Sequence, residues 1–319
     1  MWPFTRSQAP AIDPAFGDAR ARVLLDALAK GDWRAARDVF AAAQDPNALA
    51  YLMEAAAEVD SIQAWIGDWI AAEPESTLPV LVRGCSAVAW AWRARGAAGA
   101  EHTGQEQFRE FFRRLKIAEN ALDEVIERDP ADVTARTWLV TSARGRQVDQ
   151  QEAQDRFDAV VRRCPHHVVA HEQRLQYLCA KWFGSDEQMF GFARAATAAA
   201  PKGSLLPVLV AHAHVEKWLA LPTVIDEAHM TNPEVRAELL AAAEQSIFHP
   251  DFTPSGNWTR RANFFAMSLH LAGEHSAAAR VFDLLGDQPS ERPWNYLGRG
   301  NNPAARFAKA RRDAYARRR

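Results

Sequence analysis

Residue types that bind metals crowd together at one place in the sequence, between residues 164 and 172. Cys164, His166, His167, His171 and Glu172 all carry side chains of the kinds that ligate zinc. His167 and His171 are four residues apart and would share one helix face, a spacing seen in zinc sites. However, no second group of ligands follows, and no glutamate lies between the histidines in the metalloprotease arrangement. A metal site and a pair of histidines at a helix start both fit this pattern; we favour the second and predict no metal ligand.

Other residues with chemical potential have simple structural explanations. His212 and His214 are two residues apart, which places them on different faces of a helix, so they do not converge on one ion. Ser185 follows Gly184, but the sequence GSDEQ is typical of a helix start in which Ser185 and Gln188 form a capping box. The sequence contains no GxSxG, phosphate-binding glycine loop or dinucleotide fingerprint. We therefore predict a protein that is not an enzyme, with no catalytic residue and no cofactor.

Aromatic and basic side chains are the best candidates for contacts with a partner. Eleven tryptophans are many for 319 residues, and most tryptophans of a folded chain pack in its core. Trp90 and Trp92 point in different directions on a helix, so we expect at least one of them to be partly exposed. Tryptophan and arginine carry much of the energy of protein interfaces. We assign Trp90, Trp92, Arg260 and Arg261 to a partner-binding surface.

The C-terminal residues are strongly basic. Residues 306–319 contain one acid and seven basic residues, so the remainder of this chain of net charge −2 carries about −8. Phe307, Ala310, Ala314 and Tyr315 would share one face of an amphipathic helix. This helix either docks as a cap on the acidic remainder or binds nucleic acid or anionic lipid. The candidate contacts to an anionic partner are Arg306, Lys309, Arg311, Arg312, Arg317, Arg318 and Arg319.

Helical patterns cover most of the chain, whereas alternation typical of strands is nearly absent. Apolar residues recur every three or four positions, as in the stripe Leu115, Ala118, Leu122 and Val125. Asp132 has the position of a helix N-cap. Hydrophobic residues make up 48% of the sequence and charged residues 24%, a composition that permits a substantial core. The sequence therefore predicts an all-α fold.

Prolines mark a repeat within this helical pattern. Pro130, Pro165 and Pro201 are 35 and 36 residues apart, the spacing that a two-helix repeat produces. A small residue, a bulky residue and a second small or apolar residue precede each proline at similar intervals. The copies are Ala118, Leu122 and Val125; Ala153, Phe157 and Val160; Met189, Ala193 and Ala196; Ala36, Phe40 and Ala43; and Ala278, Phe282 and Leu285.

This pattern resembles the second helix of the tetratricopeptide repeat. The resemblance implies a right-handed superhelical α-solenoid of stacked antiparallel helix pairs. The sequences RGCSAVAWAWRARG (residues 83–96) and KWFGSDEQMFGFAR (residues 181–194) also resemble an uncharacterised bacterial family of tetratricopeptide-like proteins, which we expect to be actinobacterial. We predict an N-terminal arm at residues 1–22, a repeat domain at residues 23–289, and a linker with a basic helix at residues 290–319.

The sequence indicates the fold more clearly than the function. No apolar run has the length of a signal peptide or a membrane span, and three widely spaced cysteines form a poor disulfide framework. We therefore expect a cytoplasmic protein. The leading hypothesis is a scaffold or adaptor that binds a partner peptide or helix in a concave solenoid groove. The alternative is a regulatory protein whose basic tail binds nucleic acid or anionic membrane. An enzyme, with its site assembled from residues remote in sequence, is a third class.

Overall fold

The computed structural model describes residues 10–43, 45–96, 103–298 and 302–318, and it confirms an all-α fold within them. These residues contain no β-strand, and none of their helices combines the length and the apolar character needed to cross a membrane. The helices are α1 (Ala19–Lys30), α2 (Trp33–Ala41), α3 (Pro46–Ala57), α4 (Ile62–Ala72), α5 (Leu78–Arg95), α6 (Gln105–Arg128), α7 (Val133–Arg146), α8 (Gln150–Val161), α9 (Val168–Tyr177), α10 (Asp186–Ala199), α11 (Val208–Ala220), α12 (Thr223–Met230), α13 (Pro233–Gln245), α14 (Trp258–Leu271), α15 (His275–Leu285) and α16 (Pro303–Arg317).

The chain divides into two compact units. The first unit is Asp18–Met189; the second contains Phe190–Arg319 together with the described residues 10–17. The two units are defined by contacts between residues in space. The domain boundaries expected at residues 22 and 289 are predicted from the repeat pattern in the sequence, which is a different criterion. Those domain boundaries therefore stay a prediction.

Side chains at the starts of two helices accept hydrogen bonds from backbone N–H groups, and prolines follow the ends of three helices. The Asp132 carboxylate accepts the amide N–H of Ala135 at 2.6 Å at the start of α7, and the Ser185 hydroxyl accepts the amide N–H of Gln188 at 3.2 Å at the start of α10. Both N-cap predictions are confirmed. Pro130, Pro165 and Pro201 follow the ends of α6, α8 and α10, as expected of a residue that cannot continue a helix.

The aromatic residues of the repeat pattern lie inside the protein. Phe40, Phe157 and Phe282 are 2%, 7% and 0% exposed. Their small companions Ala36, Ala153 and Ala278 are 0%, 2% and 0% exposed. The pattern therefore identified buried helix faces correctly.

Close helix approach in the first unit depends on glycines that the repeat pattern did not include. A Cβ added at Gly84 of α5 would lie 2.8 Å from Leu122 Cδ2 of α6, and 3.4 Å from the Ala118 carbonyl oxygen. A Cβ at Gly145 of α7 would lie 2.7 Å from side-chain atoms of both Leu115 and Phe111. Helix α6 is therefore in contact with α5 on one side and α7 on the other at distances that only glycine allows.

Helix α3 joins the early and late parts of the first unit, since it contacts α1, α5, α7 and α9. At its start, the Asn47 side-chain oxygen accepts the Val168 amide N–H of α9 at 3.0 Å. The Asn47 amide group also lies 3.9 Å from Cys164 Sγ. Most of α3 is consequently buried, and Tyr51 and Met53, which point in different directions on the helix, are 3% and 0% exposed.

We expect Gly84→Ala to lower the stability of the protein although alanine is the better helix former. The added methyl group meets Leu122, and overpacking of this kind costs about 1 kcal/mol or more. In Gly67→Ala, the matched control in α4, the new Cβ has no neighbour within 4 Å, so the change should stabilise by about 0.5–1 kcal/mol. Urea unfolding followed by circular dichroism measures both changes. Equal shifts of the midpoint in the two variants would contradict the close packing of α5 on α6.

Candidate functional site: a tryptophan–arginine cluster

Two tryptophans and two arginines meet at one end of the helices of the first unit. Trp92 and Arg95 lie in the last turn of α5, Arg144 lies in the last turn of α7, and Trp182 follows the end of α9. We call these four residues the tryptophan–arginine cluster. All four side chains belong to half-buried residues, so the cluster is neither part of the core nor fully in solvent.

The rings are held in fixed contact. The Trp92 and Trp182 ring centroids lie 5.9 Å apart in an edge-to-face arrangement, and Trp92 also packs on Phe111 of α6 at 4.9 Å. Aromatic pairs at these distances add about 0.5–1.5 kcal/mol beyond the area that they bury. Because Phe111 also contacts the backbone position of Gly145, the close approach of α6 and α7 sets the position of Trp92.

Both guanidinium groups lie beside both tryptophans. The Arg95 guanidinium carbon is 5.6 Å from the Trp92 ring centroid and 5.9 Å from that of Trp182. The Arg144 carbon is 5.5 Å from each, and these are cation–π distances. Arg144 also donates to the side-chain oxygens of Gln173 at 3.0 Å and Gln176 at 3.4 Å, both in α9.

The cluster is rich in positive charge and in hydrogen-bond donors. Arginines in the last turn of a helix interact favourably with the negative end of its dipole, which is the structural reason for Arg95 and Arg144 at these positions. The indole N–H groups of Trp92 and Trp182 are buried and have no acceptor among the described residues. The half-buried guanidinium groups of Arg95 and Arg144 match a ligand that supplies carboxylate oxygens, whereas the buried indole N–H groups are out of reach of such a ligand.

Trp90 lies outside this cluster. The Arg114 guanidinium carbon is 3.8 Å from its ring centroid, and that of Arg113 is 5.6 Å away. Hydrogen bonds from Arg113 and Arg114 lower the pKa of Glu110 to about 2, so that carboxylate stays ionised. Trp90 and Trp92 therefore take part in different arrangements, as their spacing on one helix predicts.

Arg260 and Arg261 of α14 differ in exposure. Arg260 is half-buried, whereas Arg261 is 3% exposed and donates to the Asn257 carbonyl oxygen at 3.1 Å. Arg261 faces the interior of its unit and is inaccessible to a partner, so we leave it out of the partner-binding surface proposed below.

The histidines of residues 164–172 serve the start of α9. His167 is the N-cap residue, and its Nδ1 accepts the amide N–H of Ala170 at 3.3 Å. His171 Nδ1 lies 2.9 Å from the His167 carbonyl oxygen, and its ring packs against Phe157 at 4.9 Å. Burial lowers the pKa of His171, which keeps its ring neutral. Within the described residues, no three His, Cys, Asp or Glu side chains gather in a way that could hold a metal ion.

The basic tail is docked within the second unit. Phe307, Ala310 and Ala314 of α16 are 0%, 2% and 0% exposed and pack toward α14 and α15. Tyr315 is 36% exposed, and its hydroxyl donates to Asp283 at 2.8 Å. The amphipathic face predicted from the sequence is therefore the face that packs, with Tyr315 at its edge.

The tail's basic residues fall into two groups. Arg306 donates to the Trp294 and Asn295 carbonyl oxygens at 3.1 and 3.2 Å, and Arg311 donates to the Gly286 carbonyl oxygen at 2.7 Å. Lys309 pairs with Asp313. The exposed members are Lys309, Arg312, Arg317 and Arg318, and Arg319 lies outside the described residues.

Sequence reasoning found one of the four cluster residues. Trp92 was identified by its type and spacing, but Arg95, Arg144 and Trp182 were not connected with it. The signal available in the sequence was the placement of basic residues at the ends of predicted helices. Spacing alone could not bring Trp182 to Trp92, because they are far apart in the chain and meet only through packing.

Truncation of Phe307 should destabilise the second unit. Phe307→Ala removes a fully buried ring that contacts Phe282 and Trp294 at centroid distances of 5.1 and 5.6 Å, and such changes cost about 3–5 kcal/mol. Arg312→Ala, an exposed change on the same helix, should alter stability by less than about 0.5 kcal/mol. Thermal unfolding of the two variants measures the difference. A Phe307→Ala protein as stable as Arg312→Ala would show that α16 is not docked.

Acid should destabilise the second unit through its buried histidines. Burial lowers the pKa of His212 to about 3 and those of His214 and His270 to about 4. The unfolded chain therefore binds protons below about pH 6.5 that the folded chain does not. Stability is complete above pH 6.5 and falls as pH decreases toward 4. We expect His212→Gln to reduce the loss of unfolding free energy between pH 7 and 4.5 by about 2 kcal/mol. His249→Gln is the control, and equal losses in both variants would refute the assignment.

No protein-family model, curated protein or solved structure matches the chain.

Proposed function

We propose that the chain is a non-catalytic scaffold or adaptor that binds a segment of a partner protein at the tryptophan–arginine cluster. We further infer that its helices pair as in the right-handed superhelical solenoid of tetratricopeptide-like proteins. The free thiols Cys85, Cys164 and Cys179 suit a reducing compartment, and we infer a cytoplasmic location. The observation that carries the functional proposal is the geometry of the cluster.

The repeat interpretation is supported by the spacing of polar contacts between helices. In a solenoid, equivalent positions of neighbouring repeats touch, so contacts recur at the repeat length. In the first unit, Arg37 pairs with Glu73, 36 residues away, and Arg156 pairs with Glu119, 37 residues away. In the second unit, the pairs Arg280–Glu244 and Arg236–Glu274 span 36 and 38 residues. These separations agree with the proline spacing of 35 and 36 residues in the sequence.

The cluster has the composition of an interface anchor. Tryptophan and arginine are the residues most enriched among those that dominate binding energy. Rings that are already packed lose little conformational freedom on binding. Because Arg95 and Arg144 are cationic and half-buried, we propose that the partner segment is acidic and presents a carboxylate to the cluster.

We place the partner across the C-terminal ends of α5, α7 and α9. The side of these helices that faces α3 is already occupied, since α3 contacts all three. A partner helix lying along that side would have to displace α3, most of whose residues are buried. At the helix ends, a partner can reach the cluster without displacing a packed helix.

The basic tail supports a second role, contact with nucleic acid or anionic membrane, less strongly. Arg312, Arg317 and Arg318 are exposed on α16, as phosphate contacts require. Arg306 and Arg311, however, donate to carbonyl oxygens within the second unit. The tail therefore contributes more to docking than to an open basic surface.

Selection from a displayed random peptide library tests the adaptor function. We expect the intact protein to enrich peptides that contain Asp or Glu, and a synthetic peptide from this set to bind with saturation in fluorescence anisotropy. Arg144→Ala should weaken that binding tenfold or more, which corresponds to about 1.4 kcal/mol. Replacing the peptide's carboxylates by amides should weaken it similarly.

Arg34→Ala is the matched control for this measurement. Arg34 also lies over a tryptophan, with its guanidinium carbon 4.1 Å from the Trp33 ring centroid, but it belongs to α2 and not to the cluster. Its removal should leave peptide binding unchanged. Failure to enrich any peptide, or equal weakening by Arg34→Ala and Arg144→Ala, would refute binding at the cluster.

A further inference from the structure

Two histidines of the second unit face each other at the distance of metal ligands. His214 Nδ1 of α11 lies 3.3 Å from His229 Nε2 of α12. His214 is buried at 2% exposure, whereas His229 is half-buried at the edge of the unit. Their ring centroids are 5.3 Å apart, and the ring planes meet at 43°. The two nitrogen atoms are thus close together near the surface.

This separation equals one edge of a tetrahedral metal site. Zinc–nitrogen bonds of about 2.0–2.1 Å with tetrahedral angles place two ligand nitrogens about 3.3–3.4 Å apart. A small movement of the half-buried His229 ring would turn its Nε2 lone pair toward a point that the Nδ1 lone pair of His214 also faces. A hydrogen bond between the two rings has the same length.

A second observation favours the metal. His214 Nε2 lies 3.0 Å from Glu238 Oε2, and Arg194 holds the same carboxylate through bonds of 2.7 and 3.0 Å. Histidines that bind metals usually donate their other ring N–H to a carboxylate, which orients the ring and raises its basicity. With the proton of His214 on Nε2, the lone pair on Nδ1 faces His229.

We propose that His214 and His229 bind a divalent transition metal ion of the zinc class, with Glu238 as the residue that positions His214. Imidazole nitrogens suit Zn²⁺, Cu²⁺ and Ni²⁺ and bind Mg²⁺ and Ca²⁺ poorly. Water molecules or side chains of a partner complete the coordination, since no third side chain of the described residues joins the two histidines. The site therefore binds metal more weakly than a structural site with four protein ligands.

This proposal is tested by treating the full, untagged chain with a chelator and then titrating it with Zn²⁺ in a calorimeter. We expect saturable binding, of which one equivalent per chain disappears in His229→Gln. Glu238→Gln should weaken that equivalent by about 10–100-fold through loss of the orienting bond. Thermal unfolding should show a Zn²⁺-dependent stabilisation that is absent in His229→Gln.

His249→Gln is the control for histidines elsewhere in the same unit and should retain the equivalent. Circular dichroism establishes that each variant is folded, and His229 is the position of choice because it is half-buried. Identical Zn²⁺ binding by the wild-type chain and His229→Gln would overturn the proposal. So would a complete absence of saturable binding, or an equal loss in His249→Gln. Loss of Zn²⁺ binding leaves the peptide measurement on the first unit unaffected, so the two proposals are tested separately.

Discussion

The close approach of α6 to its neighbours is the constraint on which the first unit depends. Gly84 admits Leu122 from α6, and Gly145 admits Leu115 and Phe111 from the same helix. Arg144 is the residue before Gly145, and Phe111 is the ring on which Trp92 packs. The contact that brings two helices together therefore also brings the cation beside the aromatic ring. Core packing and the candidate site have one physical origin.

Arginine has a recurrent structural role in this protein, since many of its guanidinium groups donate to backbone carbonyl oxygens near helix ends. Such oxygens lack partners within their own helix, and a long side chain from a neighbouring helix satisfies them at little cost. The pairs include Arg93 with Ala57, Arg128 with Pro74, Arg163 with Pro130, and Arg311 with Gly286. Much of the charge that the sequence displays is thus used to join helices. This explains why the basic tail packs against its own unit.

Contacts between residues that are close in the sequence could be predicted, whereas contacts between distant residues could not. Caps at Asp132 and Ser185 and the burial of Phe157 depend on neighbours within one or two turns, so spacing predicted them. The cluster needed Trp182 to meet Trp92, and the histidine pair needed His229 to meet His214. Neither contact produces a periodic pattern in the sequence, because each depends on the path of the chain between the two residues. The burial of Arg261 was not predicted for the same reason, since residue type does not reveal which side of a helix packs against its neighbours.

The hydrogen bond between Asn47 and Val168 limits where residues can be inserted into this chain. An open array of helix pairs contacts only its neighbours, so it can gain or lose a pair without disturbing the rest. Here Asn47 and Val168, 121 residues apart, share a hydrogen bond, and insertion of one more pair between them would pull the partners apart. This hydrogen bond therefore opposes the insertion of further helices between α3 and α9. A duplication between these two helices would strain the bond, whereas changes of individual side chains elsewhere would not.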